Sequence, residues 1–216
     1  MPTNAPLARL LWFASPGFPT GGYAYSHGLE FSVEAGDITT ETQFQSWLET
    51  FLHHGAGHSD AILVRHAHRA ANNQAALQNL AELAEAMAPG LERHLETTAQ
   101  GHAFAAAAAI WGGGLLPDAP YPVAFGAFAA TQGVPEHDTC IGYLAATLAN
   151  LVSAGIRLIP LGQSAGLRLL RALEPALLSV AETTAAATLD DIGSAALRMD
   201  IASLRHETQH TRIFRS

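Results

Sequence analysis

Near the end of the chain, His206-Glu207-Thr208-Gln209-His210 carries the spacing that sets two imidazoles one helical turn apart with a general-base carboxylate beside them, the pattern of a zinc metallohydrolase. A catalytic zinc needs three protein ligands, and Thr211 to Ser216, where the third would normally stand, include no His, Glu or Asp. Lacking that ligand, the motif reads more simply as an amphipathic tail. A second supply of ligands lies in His53, His54 and His58, with His66 and His68 beyond, which could bind nickel or zinc as a histidine-based store. Gly55 and Gly57 interrupt a helix through the first three, and Asp60 is the one carboxylate close by. Exposed histidines at a helix end, where a cation is favoured, are the plainer reading. Ser15, Ser26, Ser164 and Ser203 stand outside any Gly-x-Ser-x-Gly elbow, so no catalytic triad is nominated. All 11 basic residues are Arg, and the absence of Lys excludes a P-loop lysine, a Schiff-base lysine and pyridoxal chemistry. Gly112 to Gly114 then read as a flexible break, not a phosphate cradle. Cys140 stands alone and reads as a small buried apolar residue.

The elements that must position these residues are helices. Ala occurs 42 times and Leu 28 times in the 216 residues, against 15 for Val and Ile together. Thr40 and Gln43 are spaced as a capping box ahead of the stripe Phe44, Trp47, Leu48, Phe51 and Leu52, and that helix should stop near Gly55 to Gly57. Leu77, Leu80, Ala81 and Ala84 repeat the period up to Pro89 and Gly90, and an Ala-rich helix resumes from Leu91 to Trp111. Pro135 opens a helix through Tyr143, Leu144, Leu148 and Leu151 that Pro160 ends. Gln163 to Leu173 form the next, Glu174 and Pro175 open another, and Asp190 to Ser194 read as a loop before a short last helix and tail. No repeat and no linker divides the chain. The expectation is one all-α domain over residues 1–216, a bundle of about eight to ten helices, with a mobile tail over 205–216.

The charge balance of -8 argues against nucleic acid as the main partner, and a 49% hydrophobic composition with only 14% charged residues implies apolar surface to spare for another protein. Met1 to Phe13 carry Arg9 inside their apolar run and lack a small-residue cleavage site, so a cytoplasmic protein is expected. Thr97 to Pro117 and Ile141 to Ile156 lack Asp, Glu and Arg, but polar residues or shortness set both below the roughly 20 strongly apolar residues of a span, so no membrane partner is expected. From Leu10 to Val64 there are six acids and no Arg, whereas Arg205 to Arg215 hold three Arg and one Glu. Ile213 and Phe214 lie between Arg212 and Arg215, an apolar anchor inside a charged fork, as at interface hot spots.

Three segments converge on one family. Ala14-Ser15-Pro16-Gly17-Phe18-Pro19-Thr20-Gly21-Gly22-Tyr23-Ala24-Tyr25-Ser26-His27-Gly28-Leu29-Glu30, then Arg157-Leu158-Ile159-Pro160-Leu161-Gly162-Gln163, then Arg205 to Ser216, resemble the urease accessory protein UreF family in order and spacing over nearly the whole chain. The resemblance implies a homodimeric, all-helical, non-catalytic chaperone of urease maturation. Such a protein binds the scaffold protein UreD (UreH) and, through that complex, the GTPase UreG and apo-urease, so that nickel insertion is coupled to the GTPase cycle. Nickel and GTP are carried by the partners, and the chain itself holds no cofactor. Carried over by residue, Tyr23 and Arg212 look like the pair joining the N-terminal segment to the tail on the GTPase side, and Arg157 is a candidate for GTPase contact. His206, Glu207, Thr211, Phe214 and Arg215 match the tail ordered against the scaffold, and the helix around Tyr143 matches the dimerisation region. His27, His102 and His206 are candidates for lining an internal nickel route. The chain departs from the family at His210, where Tyr is common, and at Leu167, where Gln is usual.

Overall fold

The computed structural model describes residues 4–112, 114 and 118–216, and among them it holds ten α-helices, three single 3-10 turns and no strand. The parts of the expected Gly112 to Gly114 break and of the Thr97 to Pro117 stretch that fall on 113 and 115–117 lie outside the described residues, as do 1–3 of the N-terminal run. The helices are α1 (Ala5–Phe13), α2 (Leu29–Glu34), α3 (Glu41–His54), α4 (Ala56–Arg69), α5 (Gln74–Ala86), α6 (Leu91–Ala109), α7 (Tyr121–Thr131), α8 (Glu136–Leu158), α9 (Gln163–Thr183) and α10 (Leu197–His206).

α3 begins as its sequence dictates. Thr40 Oγ1 accepts from Gln43 N while the Gln43 side chain caps Thr40 N, and Phe44, Leu48, Phe51 and Leu52 are buried behind it. Gly55 ends α3 in an extended conformation and α4 starts at once, so His53 and His54 belong to one helix and His58 to the next. The centre of the bundle is α7, apolar on every side and buried from Tyr121 to Ala129, as a helix without a polar face must be. α4, α6 and α8 pack around it. Two glycines set how near the helices come: a Cβ on Gly126 would run into the Val64 carbonyl of α4, and one on Gly101 of α6 into that of Ala119.

α8 is tied to α4 by Arg65, which is 2% exposed and donates to Glu136 Oε1 at 2.8 Å and to Thr184 Oγ1 at 3.3 Å. α8 alone among the described helices is long and apolar enough to cross a membrane, and 56% of its most apolar stretch is buried inside the bundle.

Two local expectations need correction. α9 runs unbroken through Pro175, because Leu169, Leu173, Leu177 and Val180 continue one stripe that packs on α3 and α8. A proline inside a helix costs about 3 kcal/mol, whereas burying Leu177 and Val180 beyond it contributes roughly 1.5–3 kcal/mol each. Overlapping the start of the expected Asp190 to Ser194 loop, Leu189–Asp191 form a 3-10 turn that Thr188 caps.

The end of the chain also differs from a frayed tail. Beyond α10 the backbone returns across the body, where Arg215 N donates to Ala24 O and Ser26 N donates to Ser216 O, each at 2.8 Å, and Phe214 is only 4% exposed.

Candidate functional site

Residues 21–30 form the floor on which the tail sits. Gly21 and Gly28 adopt φ of 74° and 73°, and His27 between them is the one described non-glycine residue with positive φ, at 55°. Gly28 is required twice over, since a Cβ there would also stand 2.6 Å from Ser203 N of α10. This close turn leads into α2, which presents Glu30 to the last residues of the chain, where Glu92 and Glu96 also reach them from α6.

The three carboxylates share the work of holding the tail. Glu30 accepts from Ile213 N at 2.7 Å and Phe214 N at 2.9 Å, and its Oε2 also faces His206 Nε2 at 3.1 Å. Glu92 faces the other ring nitrogen, Nδ1, at 2.6 Å, and accepts from Arg212 at 2.5 Å. Glu96 pairs with Arg93 at 2.5 Å and with His27 at 2.8 Å, and accepts from Ser216 Oγ at 2.7 Å. Burial alone would raise the Glu96 pKa, but Arg93, His27 and the Ser216 hydroxyl hold it well below the usual carboxylate range. Deeper in, Asp60 accepts from Tyr143 Oη at 2.7 Å, and burial pushes its carboxyl upward despite Arg93 nearby. Two hollows, of about 20 and 80 Å³, the larger lined mainly by apolar side chains, share Asp60, Arg93 and Thr97.

On the outer side of the seat, Arg157 in the last turn of α8 donates to Tyr23 O at 3.1 Å, and its guanidinium stands 4.6 Å from the centre of the Phe214 ring. Tyr23 itself is 72% exposed. Tyr23, Arg157 and Phe214 therefore form one unit, whereas Arg212, expected to pair with Tyr23, pairs with Glu92. Of the residues expected on the scaffold side, Thr211 and Arg215 are exposed, Glu207 is half-buried with Oε1 accepting from Glu92 N, and His206 and Phe214 are buried against their own chain. Tyr143 is 3% exposed and bonded to Asp60, so its side chain belongs to the core of the chain. Leu167 and His210, the two departures from the family pattern, are both exposed.

The zinc-hydrolase motif does not assemble. α10 ends at His206, both nitrogens of His206 are engaged by Glu30 and Glu92, and His210 lies exposed beyond the helix. Among the described residues no group of three His, Cys, Asp or Glu side chains is arranged to hold a metal, the His53, His54 and His58 cluster included. His102 lies on the surface, 3.7 Å from Asp118, away from the seat.

Sequence reading missed the buried acids. Glu92, Glu96 and Gln100 do recur at helical period on α6, but they alternate with Leu91 and Leu95, and ordinary amphipathic logic buries the leucines. The structure turns the polar stripe inward.

Residues 38–174 match the family model of UreF. Over almost its whole length the chain is similar to the urease accessory protein UreF of Rhodopseudomonas palustris strain BisB18, at 49% identity over 98% of this chain and 92% of that protein. It is likewise similar to the urease accessory protein UreF of Bradyrhizobium sp. strain ORS 278, at 49% identity over 98% of this chain and 92% of that protein. A third relative of the same name, from Rhodopseudomonas palustris strain BisB5, is 47% identical over 99% of this chain and 92% of its own length.

Proposed function

Because the chain belongs to the UreF family, we propose that it is a non-catalytic chaperone of urease maturation, acting in the cytoplasm as a scaffold between other proteins. It binds UreD (UreH), recruits and regulates the GTPase UreG, and so supports nickel insertion into apo-urease, with nickel and GTP brought by those partners. The observation that carries the reading beyond family membership is the unit of Tyr23, Arg157 and Phe214. An exposed aromatic ring beside a guanidinium held by two backbone carbonyls and a buried phenyl ring has the composition of an interface hot spot. Its rigidity lowers the entropy lost when a partner docks.

A second copy completes the working unit. α1 and α8 leave between them an apolar groove of about 400 Å³, lined by Leu7, Leu11, Ile141, Ala145 and Ala149. Leu11 is 65% exposed, and Tyr143, on the same helix α8, is buried in the core.

In cells carrying the urease genes, loss of this chain should abolish urease activation. Tyr23→Ala and Arg157→Ala should each lower UreG recruitment about tenfold or more while UreD is retained, by the usual worth of a hot-spot side chain. Co-purification followed by an activation assay checks both, and full urease activity in cells lacking the protein would refute the reading.

A further inference from the structure

Residues 14–22 run on from the end of α1 without filling the space beneath them. Phe13 and Phe18 pin the segment, their rings edge to face at 5.8 Å, and Phe18 also packs on Phe104 of α6 at 5.1 Å. Along it the backbone satisfies itself. Phe18 N donates to Ser15 O at 2.9 Å, Thr20 N to Phe18 O at 2.8 Å and Ala24 N to Gly21 O at 3.0 Å. The segment therefore stands as an arch over α7 and α8, and a hollow of about 90 Å³ lies under it. Arch and floor meet at Gly22, where a Cβ would stand 2.7 Å from Asn150 Nδ2.

Two polar side chains that line this hollow are idle in the fold. Tyr121, the first residue of α7, is 9% exposed with its ring packed among Phe104, Phe125 and Tyr143. Its hydroxyl has no hydrogen-bond partner among the described residues, and burial alone pushes its pKa upward. The Asn150 carboxamide of α8, half-buried, is likewise unpartnered among them. Buried polar groups left unpaired are uncommon, and two lining one hollow point to a guest. None of the described residues lining it is charged, since Asp60, Arg93 and Glu96 line the neighbouring hollow, so an ion would shed its hydration for no return. A carboxamide sets a donor beside an acceptor, and a second amide returns both bonds in one plane. The Tyr121 hydroxyl offers a further donor for a carbonyl oxygen, and the Phe13 and Phe18 rings give flat walls. Since a cavity of about 150 Å³ takes benzene, one of about 90 Å³ takes a molecule of roughly four non-hydrogen atoms. We propose that the hollow under residues 14–22 binds one small, flat, neutral amide of the size of urea or acetamide, paired by Asn150 and Tyr121. The site is complete within one chain and does not depend on the scaffold reading.

Isotope-labelled full-length protein is titrated with urea, acetamide and acetate up to about 50 mM, far below the molar range in which urea unfolds proteins. The backbone amide resonances of Gly21, Gly22 and Tyr23 are followed in wild type, Tyr121→Phe and Asn150→Ala, with a melting curve for each. Both amides should give saturable shifts in this segment with a dissociation constant in the low millimolar range, above the floor of roughly tens of micromolar that four non-hydrogen atoms can reach. Acetate, of the same shape but charged, should bind at least about tenfold more weakly. Tyr121→Phe should weaken amide binding about fivefold or more while its melting temperature equals or exceeds that of wild type, because the hydroxyl it removes has no partner to lose. Asn150→Ala should weaken binding about tenfold. Shifts that rise linearly without saturation, acetate binding as tight as acetamide, or wild-type affinity in either variant would each overturn the proposal. So would a clearly lower melting temperature in Tyr121→Phe, which would show the hydroxyl already engaged within the fold.

Discussion

Asp60 and Glu96 are two buried carboxyls that line the same hollow, yet their surroundings drive them in opposite directions. Asp60 is raised mainly by burial, with Arg93 only partly offsetting it, so relative to the unfolded value of 3.8 it supports the fold at low pH and withdraws that support as pH rises. Asp60→Asn keeps an acceptor for Tyr143 and should be as stable as wild type or more so at about pH 8, with the difference shrinking toward pH 4. Glu96 is lowered, so its contribution is present above 4.5 and fades as pH falls through the folded value. Glu96→Gln leaves Arg93 and His27 without their carboxylate and should cost about 3–5 kcal/mol near neutral pH, and less in acid. Urea melts of both variants across pH check the two signs. None of this was legible in the residues themselves, because charged side chains are assigned to solvent unless a partner is visible, and the partners here are far off in sequence. Glu30 and Phe214 stand 184 positions apart.

At the level of the helices, composition and period were informative where one face is apolar and the other polar. The capping box at Thr40 and the stripe from Phe44 to Leu52 appear as expected. Pro175 misled because local backbone preference, about 3 kcal/mol, is smaller than the burial of the stripe that continues past it. α6 misled for the opposite reason, since its inner face is polar. α7 has no polar face to orient it, and what sets its distance from α4 is Gly126. Gly126→Ala should destabilise by about 1–3 kcal/mol or more, because the obstacle is the Val64 backbone and cannot swing aside. Gly162→Ala, where a Cβ meets nothing within 4 Å, should change little by comparison. Denaturant midpoints for the pair decide whether the close approach of α4 and α7 carries the cost.

For the molecule as a whole, the seated tail changes what truncation should do. A frayed segment could be removed without consequence, whereas removal of 207–216 exposes the Phe214 site and leaves Glu30, Glu92 and Glu96 without the tail groups that satisfy them. Taking about 3 kcal/mol for burial of the phenyl ring and 2–4 °C per kcal/mol at this chain length, the truncated protein should melt roughly 6–12 °C lower with nearly unchanged helix content. Circular dichroism would register this, and an unaltered melting temperature would mean the tail adds nothing to the fold. The amino-acid sequence by itself determined the helical class, most helix limits, the absence of lysine chemistry and the family, because these follow from local period, composition and ordered short motifs. Only the tertiary structure decided that the histidine motif is dismantled, that Arg157 and not Arg212 meets Tyr23, and that α6 faces inward with its acids. Each of those depends on which distant segments come within hydrogen-bonding distance, and periodicity along one helix holds no record of the partner that will lie across from it.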